Sequence, residues 1–142
     1  MTDTYVLTHT LTYSGGIGWA VDYPDRVTLS AGEATAIPVA LTVPTDSISG
    51  TWAVVTLTAT SGWNGWVHDV VSDTTLVARN PGVHIEPTYD THVNPGAVFT
   101  YVHTLINTGN GADSFSLTLS STWGWTTVSP TQIVNLGPHL SL

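Results

Sequence analysis

Six histidines and ten acidic side chains are the groups in this chain with most chemistry to offer. His84 and Glu86 stand two apart on what reads as a strand, so both project from one face, and His92 and His103 follow in the same half; imidazole and carboxylate are ligands that zinc accepts. The plainer reading is structural, since His9 and His103 continue stripes of Tyr and Leu, and no metal is expected. Around a Gly-rich turn, Asn107, Asn110 and Asp113 offer oxygens of the kind calcium takes, although turns of this composition use the same groups for their own backbone. No cofactor is expected. Trp63 and Trp66 lie in a Gly-rich loop with Trp52 shortly before, where a flat ring stacks on a sugar or packs on a neighbour. Trp19 and Trp125 each follow a glycine and are expected to be packing residues. No nucleophile elbow, paired-acid motif or phosphate loop accompanies these groups, so the chain is not expected to be an enzyme.

The elements that must position these residues alternate with period two. Tyr5, Leu7, His9, Leu11 and Tyr13 share one face of a strand over residues 2–13, with Thr and Val on the other. A short strand over 26–30 follows, then an apolar stripe of Thr35, Ile37, Val39, Leu41 and Val43, in which Pro38 argues for an edge or a bulge. Ala53, Val55, Leu57 and Ala59 make the inward face of the next strand, and a last one runs over roughly residues 66–78. Arg79-Asn80-Pro81-Gly82 is the best boundary candidate, dividing the chain into 1–79 and 80–142. Beyond a strand near 83–88 and a loop closing at Asn94-Pro95-Gly96, Phe99, Tyr101, His103 and Leu105 alternate before an Asn/Gly cluster, and Asp113, Phe115, Leu117 and Leu119 alternate after it. This arrangement predicts a hairpin whose aromatic and aliphatic groups meet across the pair. No helical periodicity occurs, so the expected class is all-β.

Composition excludes several partners. Among the 142 residues, 8% are charged and the formal net charge is −8, with Arg26 and Arg79 the basic residues and Lys absent. Nucleic acid and anionic membrane surfaces are both poor partners for such a chain. Without Lys, intramolecular Lys–Asn crosslinks cannot form, and without Cys neither a disulfide framework nor a thiolate site exists. Ser and Thr supply roughly a quarter of the residues, a composition suited to pleated, half-buried strands kept soluble by hydroxyls. No run is long and apolar enough to insert in a membrane, and the first residues carry no secretion signal, so a targeting segment is expected to lie outside this sequence.

The chain also matches itself. Asp3-Thr4-Tyr5-Val6-Leu7-Thr8 aligns with Asp113-Ser114-Phe115-Ser116-Leu117-Thr118, Gly18-Trp19 with Gly124-Trp125, Pro24 with Pro130 and Leu29 with Leu136, when four residues are inserted near Ser14–Ile17. The period of about 106–110 residues is the size of a two-sheet sandwich. Residues 1–79 then read as the later part of one repeat, lacking its first strands, and 80–142 as the beginning of the next, lacking its last. Such a chain is expected to be an excerpt of a longer tandem array, with strand donation by a neighbouring molecule as the alternative.

On Tyr101–Phe115, Gly124-Trp125, Pro130 and Leu136-Gly137-Pro138, and on Val39–Pro44, Gly50-Thr51 and Val55–Ser61 of the earlier copy, the sequence resembles the immunoglobulin-like repeat domains of large bacterial surface proteins, including those described as NPCBM-associated. The resemblance implies an immunoglobulin-like antiparallel β-sandwich acting as an extracellular spacer, stalk, sheath or filament unit, with neighbouring copies of the same protein as partners and no catalytic residue. Trp52, Trp63, Trp66 and Trp123 exceed that pattern and leave room for an accessory module that binds polysaccharide or another partner.

Overall fold

The structure is a computed structural model describing residues 1–16 and 18–142. The expected insertion near Ser14–Ile17 and the start of the Gly-Trp segment fall partly at Ile17, outside the described residues. Every named element among the described residues is a β-strand, and every pairing between strands is antiparallel. In chain order the strands are β1 (Thr2–Tyr13), β2 (Ala20–Asp22), β3 (Arg26–Ser30), β4 (Ala40–Thr42), β5 (Trp52–Ser61), β6 (His68–Leu76), β7 (Val83–Glu86), β8 (Thr104–Asn107), β9 (Asp113–Ser116) and β10 (Gln132–Leu136). They fall into two compact units, Met1–Ala78 and Arg79–Leu142.

Unit 1 is built on a four-stranded sheet in the order β3-β1-β5-β6, with a separate two-stranded sheet of β2 and β4. The alternation of β1 and β5 decides which face turns inward. Leu7 of β1 and Ala53, Val55 and Leu57 of β5 are buried, and Leu7 lies opposite Ala59, so the two inward stripes lie on the same face of the sheet. Leu7, Val55 and Leu57 each contribute about 1.5–3 kcal/mol relative to leaving the side chain in water, and Ala53 less. Trp19, just before β2, is also buried, and its ring stacks on Tyr13 of β1 at 6.5 Å and 29°. The outward face is held by hydroxyls, Thr4 to Thr28 at 3.0 Å and Thr56 to Ser72 at 2.9 Å. β6 closes the sheet on one edge, with Val70 and Val71 both half exposed.

Unit 2 has two small sheets, β7-β8 and β10-β9. The final residues extend the first: Leu105 and Leu142 exchange backbone bonds of 2.9 Å, and Ile106 bridges to Ser141. Leu105, Ile133 and Leu136 are buried together, with Phe115 and Leu117 packed against them. Between β9 and β10, Ile133 faces Phe115 and Leu136 faces Asp113, so β10 carries one extra residue, a bulge. Asn135 sits there with φ 59°, a left-handed conformation that Asn tolerates, and its N–H donates to Ser114 Oγ at 3.1 Å.

The expected hairpin is not formed. β8 pairs with β7 and β9 with β10, so the two alternating runs lie in different sheets. The Asn/Gly cluster carries the chain from one sheet to the other because its backbone is tied down elsewhere. The wholly buried Asn107 donates from Nδ2 to Gly111 O and Leu136 O, both at 2.9 Å, and accepts at Oδ1 from Gly109 N–H at 2.9 Å. A Cβ on Gly109 would lie 2.8 Å from Asn80 O and from Gly82 N, so the strand approach leaves room for glycine alone. Leu105 and Phe115 do meet, but in the core and not across one strand pair. Phe99, Tyr101 and His103, expected within the first strand of the hairpin, precede β8 and belong to no strand. The stripe expected over Thr35–Val43 is a strand only at Ala40–Thr42, because no strand lies beside its first half.

Candidate functional site

The β5–β6 connection is an exposed loop of unit 1 held by its own hydrogen bonds. Ser61, last in β5 and buried, accepts at Oγ from the N–H groups of Trp63 and Asn64, both at 3.2 Å, and donates to Asp3 Oδ2. Asn64 Oδ1 accepts from Trp66 N–H at 3.1 Å, and Val67 N–H donates to Asn64 O at 2.8 Å. These bonds fix the loop backbone, so the two indoles are carried on a rigid tip. Trp63 is 76% and Trp66 91% exposed. A ring held in water by a fixed backbone offers contact area at low ordering cost. Among the described residues no ring contact joins Trp63 to Trp66.

Beside Trp63 lies a groove of about 370 Å³, lined by Met1, Asp3, Tyr5, Leu29, Glu33 and Trp63 among others. Its two acids are differently engaged. Glu33 accepts at Oε2 from Ser30 N–H at 2.8 Å, closing the turn after β3. Asp3 gives one oxygen to Ser61, while its Oδ1 is buried and has no hydrogen-bond partner. A buried carboxylate oxygen without a donor is costly in a finished fold. Trp52 is 39% exposed, and its N–H is held by Ser14 Oγ at 3.0 Å.

In unit 2, Asn107 is taken up by its three bonds, Asn110 Oδ1 accepts from Asn80 N–H at 2.7 Å, and Asp113 Oδ1 accepts from Ser114 N–H at 2.8 Å and pairs with Arg79 at 3.0 Å. Those oxygens therefore hold protein groups. His84 and Glu86 approach to 3.4 Å as the spacing implies, but His103 Nδ1 contacts Pro87 O at 2.8 Å and its ring packs with Tyr89 and Tyr101. No group of three or more His, Asp or Glu among the described residues is placed to hold a metal. His9 Nδ1 contacts Tyr23 OH at 3.0 Å. Trp125, expected inside, is 83% exposed and stacks on Trp123 at 6.2 Å and 26°. Nothing in unit 2 covers it, whereas Trp19 lies in the loop whose Gly18 stands against Pro44.

Asp113 is a turn and calcium candidate from sequence, but its pairing with Arg79 and the bond of Asp3 to Ser61 are not read there. The signal was present: both acids open the matched hexapeptides, and Arg79 is one of two basic residues. Compared with protein-family models, curated proteins and solved structures, the chain matches none. No helix among the described residues is long and apolar enough to cross a membrane.

Proposed function

We propose that the chain is a segment of a tandem, immunoglobulin-like β-sandwich array that serves as a stalk, sheath or filament unit of an extracellular surface protein and associates head to tail. One observation carries this reading. In unit 1 Asp3 faces Leu29 and Tyr5 faces Val27; in unit 2 the residues aligned with them, Asp113 and Phe115, face Leu136 and Ile133. The one-residue difference between the pairs is absorbed by the bulge at Asn135. Around this shared strand pair each unit has what the other lacks. Unit 1 continues into β5 and β6, and unit 2 begins with β7 and β8. Half-complete sandwiches with open edges gain most from contact with their own kind.

Sedimentation velocity and negative-stain microscopy on the purified chain test the reading. Elongated species that lengthen with concentration are expected; a compact monomer throughout the soluble range overturns it. The rigid, exposed Trp63 and Trp66 favour a second reading, an accessory module for polysaccharide or another partner. Glycan-array binding abolished by Trp63→Ala and Trp66→Ala, in a chain that remains monomeric, is the outcome that would establish it.

A further inference from the structure

Asn64-Gly65 and Asn110-Gly111 are the two places where Asn precedes Gly, and the fold treats them in opposite ways. An Asn before Gly is well suited to cyclise on itself, because the next backbone nitrogen has no Cβ beside it to obstruct its approach to the side-chain amide carbon. What decides the outcome is which of the reacting groups the fold ties down. At the β5–β6 tip both residues are exposed. A Cβ on Gly65 would meet nothing within 4 Å, and the Gly65 N–H has no hydrogen-bond partner among the described residues. Asn64 Nδ2 likewise bonds to no described group, while Oδ1 accepts from Trp66 N–H at 3.1 Å. That bond polarises the amide carbon and is aimed at the oxygen on which charge develops when the carbon is attacked. The nucleophile and the leaving amine are thus free, and the oxygen between them is held.

Unit 2 holds the same dipeptide on every side. Asn110 Oδ1 accepts from Asn80 N–H at 2.7 Å, and Asn110 N–H donates back to Asn80 O at 3.0 Å. Gly111 O accepts from Asn107 Nδ2 at 2.9 Å, and both residues of the pair are half-buried. Cyclisation there must first break contacts that reach 30 residues back along the chain.

We infer that Asn64-Gly65 is a self-modification site that converts the tryptophan-bearing tip into an acidic form, and that Asn110-Gly111 is protected from the same reaction. The Gly65 nitrogen gives its proton to hydroxide and bonds to Asn64 Cγ; the Cγ–Nδ2 bond breaks, and Nδ2 takes a proton and leaves as ammonia. A cyclic imide remains. Water then adds to one of its two carbonyl carbons, and the bond from that carbon to the Gly65 nitrogen breaks, the nitrogen taking up a proton. Opening at Cγ gives Asp at position 64 on a normal backbone, and opening at the backbone carbon gives isoaspartate, in which the chain runs through the former side chain. Either product sets a carboxylate between the exposed indoles of Trp63 and Trp66. Isoaspartate also lengthens the backbone by one carbon, which removes Oδ1 from Trp66 N–H and displaces Asn64 O from Val67 N–H. The rigid display of both rings is then lost, so the tip has a limited lifetime as a contact surface for whatever partner meets it.

The full chain is incubated at neutral and at mildly alkaline pH, native and in urea, and its peptides are followed by mass spectrometry with Asp and isoaspartate separated by chromatography. In urea the two sites convert at similar rates. In the native chain Asn64 converts to both products at a rate that rises with pH, and Asn110 about a hundredfold more slowly, because attack there waits on local opening. Gly65→Ala, which meets open space and lies outside the left-handed region, keeps the fold and slows conversion of Asn64 by about tenfold. In the isoaspartate form the amides of Trp66 and Val67 exchange faster while those of β1 and β5 are unchanged. Native conversion of Asn110 as fast as that of Asn64, an Asn64 that converts in urea but stays intact in the native chain, or Asp formed without isoaspartate overturns the inference. Unchanged exchange at Trp66 and Val67 in the isoaspartate form overturns the loss of rigidity at the tip.

Discussion

Trp19 and Trp125 occupy matched positions and meet opposite fates. Each stacks on an aromatic partner, Tyr13 at 6.5 Å and Trp123 at 6.2 Å, with interplanar angles of 29° and 26°. Yet Trp19 is 8% exposed and Trp125 83%. The local geometry of the pair is therefore nearly the same, and the difference lies in what the rest of the unit provides. In unit 1 the loop that carries Trp19 lies against Pro44 at Gly18, whereas the ring of Trp125 meets that of Trp123. Burial here is not set by the residue or by its aromatic partner, since both tryptophans have one.

The largest expected effect breaks the comparison at its centre. Trp19→Ala should destabilise unit 1 by about 4 kcal/mol, and Trp125→Ala should change unit 2 by less than about 0.5 kcal/mol, read as shifts in urea midpoint. Equal shifts would mean the two tryptophans are not in the different environments described. Next is Asn107→Ala, which strands the Gly109 N–H and two carbonyls. It should cost unit 2 about 3 kcal/mol and release its amides to hydrogen exchange while those of β1 and β5 stay protected. Gly109→Ala places a methyl against backbone at 2.8 Å on two sides and should cost about 2 kcal/mol, again in unit 2 alone. Smallest is Arg79→Ala. Its ion pair is 52% and 28% exposed on the two side chains, so a loss below about 1 kcal/mol, shrinking further in high salt, is the expected result of denaturation at two ionic strengths.

Short-range pattern made much of this fold legible. The period-two stripes of β1 and β5 carry Leu7, Val55 and Leu57 inward as their spacing requires, because alternation along a strand is a local property. Pairing is not local, and there the sequence misleads. An Asn/Gly cluster between two alternating runs looks like a tight turn, and nothing in residues 101–118 reveals that Asn107 will reach Leu136, a residue 29 positions on. Thr35–Val39 has strand composition, but composition does not supply a partner. At the candidate site, Trp63 and Trp66 were recognisable from a Gly-rich loop, whereas their rigidity depends on Ser61 bonding back to Asp3, 58 residues away. The unpartnered oxygen of Asp3 could not be read from type or spacing at all, since it is defined by a donor that is missing.

The ion pair between Arg79 and Asp113 has a consequence for proteolysis. An enzyme that cuts after basic residues finds two places on this molecule. Arg26 lies within paired strand β3, opposite Val6, where the backbone is already engaged in a ladder. Arg79 stands at the junction of the two units, with its guanidinium tied to Asp113 and to Ala112 O. Cleavage after Arg79 therefore requires that pairing to open first, and cleavage after Arg26 requires the ladder to part, so digestion at either place reports local opening of the structure.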